Sequence, residues 1–376
     1  MRIAINAAVY SDRRVGIEIF TEKLVSELSR RCELLVYTSL PQAFSSLPVQ
    51  IRRIPEWTQG HIGRMIWSLF LLPARLRQDR ADAVLSVSCD APPSGRVPSV
   101  AVVHDLTPLR VFSSATLQYH VLFRFSLQLL RGVSAIVTGS EHTRDDIRRS
   151  RLNHGKPIRV IPHGSRFGPP AVAGSEESER QARAQLEELS FQPGRPFILY
   201  VGGFIAHKRV PLLVSAFRQL SQEYAHQLIL VGWGPKWAMR ELTRAIDESK
   251  MRDRISVFSG LPDSALAYLY SRCDLFVYPS RYEGFGLPVL EAMACGAPIV
   301  CSDSTSLPEV AGDSAVYFSS GSETELAAAM RAVLSDSSLR ATLAEKGRRR
   351  AQQFTWSRAA AAYYELLSEL AGPGRN

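Results

Sequence analysis

Cysteine is scarce and unpatterned in this chain of 376 residues: Cys32, Cys89, Cys273, Cys295 and Cys301 never fall into a C-x-x-C spacing. That argues against a disulfide framework or a zinc knuckle and makes a reduced cytosol the expected compartment. No uncharged apolar run reaches the roughly 18 residues that a membrane-spanning helix needs. Met1–Tyr10 is apolar but short, contains Asn6 and runs into Ser11-Asp12-Arg13-Arg14, so it reads as a first strand rather than a signal peptide. A G-x-x-x-x-G-K-[ST] phosphate loop is missing, and Gly284-Phe285-Gly286 lacks the third glycine of a dinucleotide fingerprint. Nucleotide hydrolysis and hydride transfer thereby lose their main support.

What is there is a folded globular composition, 45% hydrophobic and 22% charged with Gly and Pro at 24 and 22, outside the disordered, collagen-like and coiled-coil ranges. At about 150 residues per domain the length suggests two domains. The net charge of +9 is unevenly placed: residues 1–168 hold 23 of the 45 Lys/Arg but only 13 of the 36 Asp/Glu. The first half is therefore strongly basic, almost all of it through arginine, and the second half is near neutral.

Short apolar runs alternate with helix-period stretches throughout. Ile3–Ala7, Glu33–Tyr37, Ala83–Val87, Ser99–Val103, Ala135–Thr138 and Ile158–Ile161 read as strands, several of them apolar throughout, as parallel strands covered on both faces should be. Ile17–Arg30 and Leu117–Arg131 read as helices between them. Phe167-Gly168-Pro169-Pro170 and the polar stretch Ala171–Gln192 mark the domain junction. The alternation then restarts with strands Phe197–Val201, Gln227–Val231, Ile255–Ser259, Leu275–Tyr278 and Pro298–Cys301, and helices Val210–Ser221, Lys236–Glu248, Ser264–Ser271, Pro288–Ala294 and Glu323–Leu334. The fold class is α/β, with two Rossmann-like doubly wound parallel-sheet domains. Ligands of such sheets bind beyond the carboxyl ends of the strands, so a central cleft between facing domains is the expected site.

The richest segment runs from Cys273 to Gly296. A strand ends at Tyr278, a loop with Gly284 and Gly286 follows, and Pro288 sits where a helix begins. The glycines let backbone approach a ligand closely, and the helix start attracts an anion such as a diphosphate. Glu283 before the helix and Glu291 within it can reach two parts of one ligand. Carboxylates beside a phosphate suit sugar hydroxyls better than phosphates, because like charges repel; taken alone, they also read as capping and surface acids. Gly202-Gly203 ends another strand, and Lys208 follows with a compact charge suited to phosphate. His104 follows the strand Ser99–Val103. A lone histidine is usually structural, but at a carboxyl strand end its neutral imidazole can hydrogen-bond a sugar hydroxyl; Asp105 can equally cap the next turn.

Tyr282–Glu291, with Pro279-Ser280 before it and Ala292–Pro298 and Ser306–Gly312 after it, resembles the nucleotide-sugar site of family-4 retaining glycosyltransferases of the GT-B fold. The resemblance extends to Tyr200–Arg209 and Val103–Leu106, and the subgroup it resembles most is that of bacterial mannosyltransferases. It implies an acceptor domain over 1–168, a nucleotide-sugar domain over 169–355, and a helix over 356–376 that packs back on the first domain or, alternatively, on its own. It makes Lys208 the diphosphate clamp, Glu283 the group that positions the sugar hydroxyls, Glu291 the ribose contact and His104 a contact to the sugar's C6 hydroxyl. Gly284, Phe285, Gly286 and Leu287 would line the donor, and Gly260 and Leu261 would present backbone to the base. Gly16, in the first strand–helix turn, would meet the donor phosphates, with Arg13 and Arg14 as weaker candidates. Family members often carry Arg where Gly203 stands and Arg-Lys-Asn where this chain has His207-Lys208-Arg209, which leaves the second clamp cation to Arg209 or His207.

No D-x-D pair occurs, so the metal-clamped site of GT-A enzymes is missing, no metal or other cofactor is expected, and a side-chain cation with helix dipoles must neutralise the leaving diphosphate. The expected activity is retaining hexosyl transfer, with GDP-mannose the favoured donor and a saccharide or polyprenyl-diphosphate-linked saccharide the acceptor in polysaccharide assembly. A sugar-nucleotide epimerase and a basic binding module are the alternatives. Nucleic acid is not expected as a partner, because a repeated aromatic–basic platform is lacking. Trp57–Gln78 has the composition of a helix on an anionic membrane, or of a partly buried helix of the first sheet; the expected location is cytoplasmic, peripheral on the inner membrane face.

Overall fold

The computed structural model describes residues 1–11, 16–111, 117–168, 176–188, 191–192 and 194–372. The chain divides into two compact units, Met1–Gly164 with Thr355–Asn376, and Ser165–Phe354. The first junction falls after Gly164 rather than after Gly168 because Phe167 is buried in the core of the second unit.

The first unit is built on strands β1 (Arg2–Asn6), β2 (Glu33–Thr38), β3 (Gln50–Arg53), β4 (Ala83–Ser86), β5 (Ser99–Val102), β6 (Ala135–Thr138) and β7 (Ile158–Val160). All pair in parallel in the order β3-β2-β1-β4-β5-β6-β7. Side chains alternate across the sheet, so each strand feeds two cores. Ile3, Ile5, Val36 and Leu85 pack under helices Gly16–Leu28 and Trp356–Ala371, while Ala4, Leu35, Tyr37 and Val84 pack against Trp67 and Leu72 on the other face. This double burial explains the uninterrupted apolar runs. The β3 strand, Gln-Ile-Arg-Arg, escaped the sequence reading because an edge strand open to solvent has no apolar run.

Thr355 caps the closing helix, its hydroxyl accepting the Arg358 amide at 3.2 Å, and Tyr363 and Leu367 are fully buried in the first unit. Trp57–Gln78 is not one helix: it passes from a 3-10 turn (Glu56–Gln59) through helix His61–Ile66 and a π turn (Trp67–Leu71) into helix Leu72–Gln78. Among the described residues no helix is long and apolar enough to cross a membrane.

The second unit holds β8 (Phe197–Val201), β9 (Gln227–Val231), β10 (Ile255–Phe258), β11 (Leu275–Tyr278), β12 (Ile299–Ser302) and β13 (Ala315–Phe318), parallel in the order β10-β9-β8-β11-β12-β13. Chain order reverses between β8 and β11, the switch point where loops diverge and leave room for a ligand. Helix Glu176–Glu188 occupies the polar stretch before β8.

Candidate functional site

The loops after β8 and β11, neighbours in the sheet, carry the chemistry-bearing residues of the second unit. After β8 the backbone of Gly202 lies so close to Gly232 that a Cβ at Gly232 would overlap the Gly202 carbonyl oxygen, so only glycine serves there. The Tyr200 hydroxyl donates to the Gly203 carbonyl at 2.9 Å, and its ring stacks on Tyr278 with centroids 5.8 Å apart. The amide of Phe204 donates to the Trp233 carbonyl at 2.9 Å. These bonds fix the turn that sends Ala206–Lys208 back over the sheet end.

Lys208 and Glu283 meet there. Lys208 Nζ lies 2.6 Å from Glu283 Oε1 and donates to the Tyr278 hydroxyl at 3.1 Å, 5.5 Å from that ring's centroid. Both side chains are nearly buried. Burial pulls the Glu283 carboxyl upward, but the Lys208 charge, with hydrogen bonds from Lys208 and Ser280, overcomes it and holds the group below the ordinary carboxylate value. The same burial, with the Glu283 charge, pushes the Tyr278 phenol up and keeps it protonated.

The Glu283 backbone is clamped from the next loop. Its amide donates to Thr305 Oγ1 at 3.0 Å, and its carbonyl accepts from Ser306 Oγ at 3.1 Å. Gly284 and Phe285 lead on, Phe285 buried against Phe354 with ring centroids 6.0 Å apart. Gly286 caps the helix Leu287–Cys295 at φ 99°, with Pro288 in its first turn. The left-handed φ calls for glycine, and a Cβ at Gly286 would sit 2.7 Å from Leu307 Cδ2, so a larger residue would also have to displace that methyl group. The positive end of that helix dipole, beside Lys208 and Glu283, favours an anion.

Glu291 lies on the same helix but is almost wholly buried. Arg166 grips it in a fork, Nε to Oε1 at 3.0 Å and Nη2 to Oε2 at 3.1 Å, and the Tyr270 hydroxyl donates to Oε2 at 3.1 Å. Arg166 also reaches Asp263 Oδ1 at 3.1 Å. Burial disfavours the guanidinium charge, but Glu291 more than compensates and raises its pKa. Neither Arg166 nor Tyr270 was singled out in the sequence. Arg166 stands 125 positions from Glu291, and only the fold brings them together.

His207 contributes its carbonyl, which accepts from the Arg281 amide at 2.7 Å and from Ser280 Oγ at 3.3 Å. Arg209 adopts the left-handed conformation, φ 52°, and its guanidinium lies where a side chain on Gly321 would be. Gly260, φ 68°, follows β10 with open space around it, and Leu261 packs partly on the core. Gly203 follows β8 and is half-buried.

In the first unit Gly16 opens the helix Gly16–Leu28, while Arg13 and Arg14 lie outside the described residues. His104 follows β5 in the loop beyond Val103, with Nε2 2.9 Å from the Val87 carbonyl and its ring edge-on to Phe20 at 4.8 Å. A carbonyl only accepts, so Nε2 carries the proton and Nδ1 is the acceptor of the neutral ring. Burial lowers the His104 pKa and favours that neutral form. Asp105 caps the next turn, accepting the Thr107 amide at 2.7 Å.

Two family models match this chain: Glycosyltransferase Family 4 over residues 15–165 and Glycosyl transferases group 1 over residues 181–350. An O-antigen chain mannosyltransferase B of Escherichia coli is 38% identical over 162 residues, 43% of this chain and 42% of the relative. A D-inositol 3-phosphate glycosyltransferase of Xylanimonas cellulosilytica is 30% identical over 250 residues, 64% and 58% of the two chains. The matches thus span less than two thirds of either relative's length. Among solved structures, a sucrose-phosphate synthase from Thermosynechococcus elongatus superposes with a TM-score of 0.80 at 21% identity, covering 98% of both chains.

Proposed function

The chain belongs to the family-4 glycosyltransferases of the GT-B fold, and from that premise we propose that it transfers a hexose from a nucleotide-diphosphate sugar to a saccharide acceptor in glycan assembly. The observation that carries the reading is the Lys208–Glu283 pair, 2.6 Å apart beside the helix start at Gly286. One member is matched to a diphosphate and the other to sugar hydroxyls.

In this reading the β-phosphate meets Lys208 and the helix dipole, which take up the charge that develops as the leaving group departs. Arg209 or His207 supplies any second cation. Glu283 accepts from hydroxyls of the transferred sugar and fixes its orientation. Glu291, three of whose acceptor positions are engaged by Arg166 and Tyr270, offers the remaining one to a ribose hydroxyl. Gly203, Gly284, Phe285, Gly286 and Leu287 shape the wall, Gly260 and Leu261 meet the base, and His104 Nδ1 accepts from the sugar's C6 hydroxyl, with Gly16 near the phosphates.

Transfer proceeds with retention and without a metal. The acceptor oxygen attacks the anomeric carbon on the face from which the diphosphate leaves. The bond from carbon to diphosphate oxygen breaks, and the acceptor proton passes to a β-phosphate oxygen. Mannose from GDP-mannose is the favoured donor, in keeping with the mannosyltransferase relative, and the acceptor is a lipid-linked saccharide at the cytoplasmic membrane face, where the basic first half associates peripherally.

A panel of GDP-, UDP- and dTDP-sugars, read by thermal shift and by product analysis in EDTA, tests this. Stabilisation by one nucleotide sugar and transfer with retained anomeric configuration are expected. If no donor is bound, transferred or hydrolysed, and Glu283→Ala changes nothing but the side chain, the reading is wrong.

A further inference from the structure

We propose that the first unit docks on an anionic lipid bilayer through one defined surface, formed jointly by the segments Trp57–Gln78 and Leu117–Arg131. The inference rests on the peripheral-membrane reading above and gives it a place on the molecule.

Among the described residues eleven large hydrophobic side chains are exposed, and seven of them lie on these two segments. Phe70 is 72% exposed, Val121 60%, Ile62 55% and Phe125 53%, with Trp57 and Ile66 also open. Scattered single exposures are ordinary, but a cluster on adjacent elements marks an interaction surface. The segments are adjacent: His61 Nε2 lies 2.9 Å from Ser126 Oγ, and helix His61–Ile66 packs on helix Leu117–Leu129.

The exposure does not come from a loosely held segment. Beneath the surface Ser126 Oγ donates to Asp90 Oδ1 at 2.5 Å, and Arg64 Nε donates to Asp90 Oδ2 at 3.0 Å. Trp67 Nε1 donates to Asn6 Oδ1 at 3.2 Å, and Ser68 Oγ to the Asp90 carbonyl at 2.9 Å. The π turn Trp67–Leu71 arranges this, burying Trp67 and Ser68 while leaving Phe70 and Leu71 outside. A wide turn of this kind is uncommon and re-aims side chains at functional positions. The polar network therefore anchors a surface whose apolar side chains stay outward.

Charge selects the occupant. Trp57–Gln78 contains Arg64, Arg75 and Arg77 and no Asp or Glu; Leu117–Arg131 contains Arg124 and Arg131 and again no acid. Arg75, Arg77, Arg124 and Arg131 are exposed. A patch that recognises a protein commonly has a rim of both signs. Apolar side chains on segments that carry cations and no acid, with the neighbouring exposed Glu56 paired to Arg53 at 3.3 Å, suit a surface that is negative outside and hydrocarbon beneath, as in a bilayer of anionic lipids.

The experiment is flotation of the full chain with phosphatidylcholine vesicles, with and without phosphatidylglycerol, at low and high salt. Retention only on the anionic vesicles, falling with salt, is expected for the native chain. Ile66→Ser/Phe70→Ser and Val121→Ser/Phe125→Ser should each lower the retained fraction at least tenfold, as should Arg75→Glu/Arg77→Glu, which alters only exposed charges and guards against misfolding. Arg148→Ala/Arg149→Ala, on helix Glu141–Arg149 of the same unit, should not. If the native chain is retained and the patch variants are too, or if Arg148→Ala/Arg149→Ala releases it equally, the assigned surface is wrong although the peripheral reading survives. If the native chain ignores anionic vesicles, both fail, while donor binding is judged separately by thermal shift. A dimer in light scattering that Phe70→Ser turns into a monomer, without vesicle binding, would make the patch a contact between copies and overturn the proposal.

Discussion

Lys208 Nζ and Glu283 Oε1, on loops that follow two neighbouring strands, stand 2.6 Å apart in a nearly buried setting. Such a pair is held at the expense of desolvating both charges, and removing one partner strands the other. Lys208→Met should therefore lower stability by about 3 kcal/mol, at the low end for a buried pair because some solvent reaches it. The double variant Lys208→Met/Glu283→Gln should recover most of that loss while donor binding stays lost. Urea titration and calorimetry with the nucleotide sugar separate the two effects, and a double variant that binds donor would remove Lys208 from the phosphate site. Glu283 ionises below its ordinary value in the fold, so its contribution is complete above the unfolded carboxylate pKa of about 4.3 and fades as pH falls through the folded value.

The Arg166–Glu291 fork predicts a different pattern. Its two parallel bonds need a planar guanidinium, so Arg166→Lys keeps the charge but loses the geometry. A loss of about 1–2 kcal/mol is expected for Arg166→Lys and about 3–5 for Arg166→Met, which leaves a buried carboxylate without its counter-charge. Denaturant midpoints of the two variants check the order. Equal losses would mean that charge alone, and not the fork, holds Glu291.

Two glycines near the site have unequal reasons to be glycine. Gly286 combines φ 99° with a side-chain position 2.7 Å from Leu307 Cδ2, whereas Gly260 has φ 68° and open space. Gly260→Ala should cost about 1 kcal/mol, the penalty of a left-handed residue. Gly286→Ala should cost about 2–3, because a clash is added to strain, and it should also weaken anion binding by displacing the helix start. Melting curves and nucleotide titrations of both variants decide this, and equal costs would show that Leu307 yields freely.

Most of this fold was legible because parallel strands buried on both faces announce themselves as apolar runs. Phe197–Val201 and Leu275–Tyr278 were located to the residue for that reason. The β3 strand was not, since Gln50, Arg52 and Arg53 belong to a solvent-facing edge, and Trp57–Gln78 read as one helix because a π turn leaves no mark in composition. At the site, local signals marked Lys208, Glu283 and the glycines: strand end, tight turn, proline at a helix start. Arg166, Tyr270 and Thr305 carried no such signal. Their partners are set by tertiary placement, and a surface arginine and one that grips a buried carboxylate look alike in sequence.

His163 should give the first unit a pH dependence in the mildly acid range, below about pH 6.5. It is buried in that unit, its ring stacked on Trp356 at 5.9 Å and tilted on Phe20 at 4.9 Å, and Gly139 makes room for it, since a Cβ there would stand 2.9 Å from Nε2. Burial, with the neighbouring His104, pushes its pKa down to about 3, from 6.5. Between those values the unfolded chain binds a proton that the folded chain refuses, so stability is complete above about pH 6.5 and declines as pH falls through the window. The slope from this one group approaches about 1.4 kcal/mol per pH unit. His163→Phe keeps a ring of similar size and cannot titrate, so its urea midpoints between pH 7 and pH 4 should fall more shallowly than those of the native chain. Carboxylates held below their ordinary values, such as Glu283, begin to cost stability only below about pH 4.3, and they do so equally in both proteins, so the difference between the two slopes isolates His163. Parallel slopes for the two proteins would mean that His163 is already protonated in the fold, and that its stack on Trp356 accommodates an imidazolium.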